Sequence, residues 1–232
     1  MERNRVGWLV SIVFSLYVGA MLYIFTKQLL SEEQSKAAIH FSEWVLNLFL
    51  LAMVPNTGFL IGKRYMHYYR SDSFTQHLRT MKCLPISDRV LVLSRFLQLL
   101  MTGAIMTVLT FIPISISFRY DGNLLAITNN EFLALGFTWL AYSIAAGSIY
   151  IYLEMGISGK LYFKLCFVFV FLFLFVSIAA LPIFSDSFWI LAIRGVQTFG
   201  WLVPLAFSLI AAASALLFAR LLERRLAVRD LQ

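Results

Sequence analysis

The chain has 232 residues, 60% of them hydrophobic and only 13% charged, and a net charge of +7. Soluble globular domains carry roughly a quarter charged residues, so this composition excludes an ordinary water-soluble fold. The positive charge does not point to nucleic acid either, because the cations are spread over separate short segments.

Apolar windows recur in chain order at 6–26, 44–62, 96–118, 132–153, 165–185 and 195–219. Each is near the length a helix needs to cross a hydrocarbon layer of about 30 Å. A membrane barrel would need strands of alternating polarity, and none are visible. The expectation is an all-α integral membrane protein of six transmembrane helices forming one domain over 1–232. Val18-Gly19-Ala20 resembles a signal cleavage site, but the apolar run continues through Phe25, so the first span is read as uncleaved.

Charge fixes the expected orientation. With both termini cytoplasmic, fifteen of the nineteen Lys and Arg fall inside, leaving only Lys27, Lys36, Arg119 and Arg194 outside. This is the bias of the positive-inside rule, with the cations facing anionic headgroups. Cys83 and Cys166 then lie at or near the cytoplasmic side, where a disulfide is disfavoured.

The loop 63–95 is the main hydrophilic feature, with seven cations against Asp72 and Asp88. Ser71, Asp72 and Ser73 can cap a helix start, and Phe74, Leu78 and Met81 follow on one helical face. Gln76, Arg79 and Lys82 point elsewhere. Pro85 cannot continue that helix, while Ser87 and Asp88 offer a new start leading into the third span. The spacing predicts a short amphipathic helix over Ser73–Lys82, a proline corner, then a membrane helix. This pattern alone suits equally a helix lying in the lipid interface. Near the other end, Pro182 stops the fifth apolar run and Ser185-Asp186-Ser187 interrupts. Phe188–Ile193 is too short to cross, so a re-entrant or interfacial segment is expected before the sixth span.

Catalytic signatures do not assemble. Gly58, Gly62 and Lys63 are spaced too closely for a phosphate-binding loop and read instead as a small-xxx-small helix-packing face. Gly156-Ile157-Ser158-Gly159 resembles the nucleophile segment of rhomboid-type intramembrane proteases. A serine there needs a histidine on a neighbouring helix, and His40, His67 and His77 all lie outside the spans. His40 and Glu43 sit one turn apart without a second cluster for a metal. Asn47, Asn56, Thr57, Gln98 and Thr102 are read as interhelical hydrogen-bonding groups.

The segment Leu84-Pro85-Ile86-Ser87-Asp88-Arg89, with Ser94-Arg95 opening the third span, resembles the permease subunits of type-two ATP-binding-cassette exporters. So does the order of elements: six spans, a large second-to-third loop and a re-entrant piece before the last span. The resemblance implies a catalytically inert permease in a bacterial cytoplasmic membrane, pairing with a second permease subunit. It implies a cytoplasmic ATP-binding-cassette ATPase dimer as partner, which would carry the ATP and Mg, so no cofactor and no nucleic acid on this chain. By position, Ser73–Lys82 becomes the coupling helix, with Phe74, Leu78 and Met81 as apolar anchors and Arg79, Lys82, Pro85 and Arg89 around them. Burying the three anchors would contribute about 5–9 kcal/mol gross, against association costs of about 4–15 kcal/mol. The amphipathic helix that often opens such subunits has no counterpart in Met1–Arg5, which turns attention to Arg220–Arg229 as a second docking segment. Two alternatives are a non-transporting immunity or regulatory subunit and an intramembrane serine hydrolase using Ser158.

Overall fold

The computed structural model describes residues 5–30, 35–59, 73–83, 85–120, 127–184 and 186–228. Its secondary structure over these residues is entirely helical: α1 (Arg5–Leu30), α2 (Lys36–Thr57), α3 (Ser73–Lys82), α4 (Asp88–Tyr120), α5 (Asn129–Gly156), α6 (Gly159–Ile183), α7 (Phe188–Phe199) and α8 (Leu202–Val228). Six of them (all but α3 and α7) are long and apolar enough to span a membrane.

Local chemistry sets the ends. Ser35 caps α2, its hydroxyl accepting the Ala38 N–H at 3.3 Å. Thr128 and Glu131 form a capping box at α5, each side chain accepting the other's backbone N–H. Ser187 caps α7, accepting from Ile190 N–H at 3.4 Å.

Several boundaries can be compared with the sequence reading, and two differ in an instructive way. The helix of the second span ends at Thr57, not at Gly62, with Pro55 in its last turn, Gly58 as its C-cap and side chains bonding carbonyls nearby. There Asn56 Nδ2 donates to Ala52 O at 2.6 Å and Thr57 Oγ1 to Val54 O at 2.7 Å. The third long helix starts at Asp88, as Ser87 and Asp88 led one to expect, eight residues before the charge-free run. The sixth span does not begin at Gly195, which lies inside α7; it begins at Leu202. Arg194 looked like a boundary charge, yet on α7 it takes the exposed side and pairs with Asp186. Trp189, Ile190, Ile193 and Val196 carry the buried face on past it. The break comes at Gly200, whose φ of 56° favours glycine.

The helices form one bundle in which α5 packs most extensively on α8, and α1 on α4. Gly19 permits the second of these approaches: a Cβ there would collide with the Thr110 carbonyl oxygen. Two buried clusters lie along the bundle. One, toward α7, includes Leu46, Phe111, Leu135, Trp139, Trp189 and Ile193. The other, toward α3, gathers Leu78, Val92, Leu99, Ile151, Met155, Leu222 and Leu226.

Candidate functional site

The α3 end of the bundle is where polar chemistry concentrates. The amphipathic pattern predicted over Ser73–Lys82 is a helix with those bounds, packed against the ends of α5 and α6. Leu78 is 4% exposed and belongs to the chain's own core. It therefore holds α3 to the bundle and is not displayed on the surface as a docking anchor. The side chains of Phe74 and Met81 lie outside the described residues, as does Gly62. Among the described side chains of α3, the exposed ones are Gln76, Arg79 and Thr80, all polar, with Pro85 and Arg89 exposed just beyond it.

Lys82 works inward. Its Nζ donates to Leu226 O at 2.5 Å, in the last turn of α8, and lies 3.9 Å from Asp88 Oδ1. Helix C-terminal carbonyls lack intrahelical donors and carry partial negative charge, so a lysine is well matched to this place. Arg225 does the same for α5, its Nε 3.5 Å from Gly156 O. Some of the basic residues at this end thus close helix termini within the chain.

One turn deeper sits a buried ion pair. Arg95 of α4 donates through Nη2 to Glu154 of α5, and through Nη1 to Gln98 Oε1 at 2.8 Å. The Glu154 side chain is 1% exposed and that of Arg95 26%. A carboxylate removed from water this completely is tolerable only with its cation in place. The pair therefore ties α4 to α5 beside α3.

Farther from α3, the end of α2 is sealed into the bundle. Thr102 Oγ1 donates to Gly58 O at 2.6 Å, and Ser143 Oγ to Val54 O at 3.2 Å. Leu99 fills the space between two glycines: a Cβ on Gly58 would stand 2.5 Å from Leu99 Cδ1, and one on Gly147 would stand 2.7 Å from it. One turn along α4, a Cβ on Gly103 would be 3.5 Å from Leu140 Cδ1. These reciprocal fits fix the register of α4 against α5.

The other sequence candidates are dispersed. Ser158 is an exposed N-cap of α6 at the α3 end, and its side chain makes no capping bond. His40 opens α2 at the opposite end, where its Nδ1 is 3.2 Å from Glu43 Oε2. Asn47 is buried and accepts from Phe188 N–H at 2.7 Å, joining α2 to the start of α7. Among the described residues, no three His, Cys, Asp or Glu come together in a way that would hold a metal ion.

Glu154 is the residue that the sequence reading missed. It lies one position past the expected end of the fourth span, at 153, and was given no role. A signal was present, since Glu154 is the only acid between Glu131 and Asp186. Compared with known proteins, the chain matches no family model, no curated protein and no solved structure.

Proposed function

We propose that this chain is the membrane-spanning subunit of an ATP-driven exporter, working as a dimer and moved by a separate cytoplasmic ATPase. The observation that carries the reading is the position of α3. A short helix, outside the six long apolar helices, lies against the ends of α5 and α6 and is fastened to α8 by Lys82. A force applied to such a helix reaches the membrane bundle through packed side chains and buried polar bonds.

The way α3 would meet its partner changes with the burial of Leu78. Docking falls to the polar face of Gln76, Arg79 and Thr80, together with Arg89 at the proline corner. Guanidinium groups suit an acidic partner surface through charge-assisted bonds. In this reading the α3 end faces the cytoplasm, in agreement with the distribution of Lys and Arg.

The test is a pull-down from membranes of the native host, with captured proteins identified by mass spectrometry. Wild-type chain should bring down an ATP-binding-cassette ATPase, and the double variant Gln76→Glu, Arg79→Glu should not, while inserting normally. Undiminished ATPase capture by the double variant would count against docking through α3. Absence of any such ATPase with the wild-type chain would remove the exporter reading.

A further inference from the structure

Two membrane-length helices, α6 and α8, are equally superficial: in each, only 11% of the most apolar window is buried. Their attachments are nonetheless unlike. α8 runs along α5, where Ser214 Oγ donates to Ala145 O at 3.0 Å. It is pinned again at its end by Arg225 to Gly156 O and by Lys82 to Leu226 O. Leu222 and Leu226 are both fully buried in the cluster beneath α4 and α5.

α6 has no comparable fastening from its buried side chains. It lies mainly along α2. Among its described residues, those that are buried are Gly159, Ser177 and Ala180, all small. Its larger inward side chains, Leu165, Phe169, Phe173 and Val176 among them, are only half-buried, so none is seated deeply in a groove of its neighbour. The Ser177 hydroxyl, fully buried, has no protein partner. The bulk of α6 points the other way, with Phe167, Phe171 and Phe175 among its most exposed residues. A ring contact of 5.8 Å between Phe169 and Tyr150 joins it to α5 near the surface.

The helices it leans against are, by contrast, locked in register. Leu99 sits between Gly58 and Gly147, and the end of α2 is bonded to Thr102 and Ser143. A helix with few buried apolar contacts opens at low free-energy cost, whereas interlocked helices resist sliding. We infer that α6 is the movable helix of this protein: it shifts along α2 while α2, α4, α5 and α8 remain one frame. Because α3 packs against the ends of both α5 and α6, displacement of α3 would reach the movable helix by direct contact. The inference holds whether or not the chain serves an exporter.

Distances between spin labels test this without disturbing the core. In a Cys83→Ser, Cys166→Ser background, one sample carries labels at Phe171→Cys and Leu209→Cys, reporting α6 against α8. A second carries them at Val108→Cys and Leu209→Cys, reporting α4 against α8. All three positions are exposed. Each sample is diluted with unlabelled protein in lipid nanodiscs, so that only distances within one chain are read. The α6–α8 pair should give a distribution at least about twice as wide as the α4–α8 pair, or two resolved distances. Equal widths for the two pairs would overturn the inference, as would a wide distribution for the α4–α8 pair.

Discussion

At the α7 end, aromatic rings meet around an apolar core, whereas at the α3 end charges are gathered and paired. Phe111 lies 5.3 Å from Phe132 and 5.8 Å from Trp139, and Trp139 lies 6.0 Å from Trp189, with steep angles between the rings. Edge-to-face contacts of this kind are short-ranged and insensitive to salt. At the α3 end, Arg95–Glu154, Lys82–Leu226 and Arg225–Gly156 join four elements through directed polar bonds. Both ends have a buried apolar cluster, but the first adds ring contacts and the second adds directed polar bonds, so the two should fail under different insults.

Truncating Trp189 to alanine should be the heaviest blow to the α7 end, costing about 3–5 kcal/mol, as expected for loss of a buried aromatic. Thermal unfolding in detergent should show the loss at low and high salt alike. A salt-dependent cost would blur the contrast between the ends.

At the α3 end, Glu154→Ala leaves Arg95 without its carboxylate and should cost about 3–5 kcal/mol. The double variant Glu154→Ala, Arg95→Met should recover a large part of that, since both charges are then gone. If the double variant is no better than the single one, the pair is not what binds α4 to α5.

Gly147→Ala should cost about 1–3 kcal/mol by overpacking against Leu99. Leu99→Ala in the same chain should relieve the clash, in a double-mutant cycle that couples the two positions. Additive losses would mean that the helices separate and do not interlock.

The smallest effect concerns the surface. Arg79→Glu should change stability by no more than about 0.5 kcal/mol, because its side chain is exposed and outside both cores. The same change should weaken partner capture strongly. A large stability loss from Arg79→Glu would mean that the polar face of α3 is part of the fold.

Much of the α3 end could be read from the sequence, because its signals are local. Ser73 to Lys82, Pro85 and the Ser87-Asp88 start follow from capping, helical period and the missing proline donor, and α3 has the predicted bounds. The direction in which Leu78 points could not be read. An apolar stripe on a loop helix looks the same whether it faces a partner or its own bundle. Glu154 became meaningful only beside Arg95, a residue 59 positions away. Gly200 was hidden by Arg194, a charge that looked like the edge of the membrane but lies on the exposed side of a short helix. Composition revealed the six long helices because bilayer thickness constrains length directly, while nothing in composition distinguishes the loosely seated α6 from the bolted α8.

The bond from Lys82 to Leu226 O spans 144 positions of the chain. It makes the final turn of α8 a structural part of the loop between α2 and α4. Shortening the protein before Leu226, or fusing a bulky tag close behind it, would loosen a segment that looks remote on paper. Affinity handles for purification therefore belong at the amino terminus or behind a long spacer.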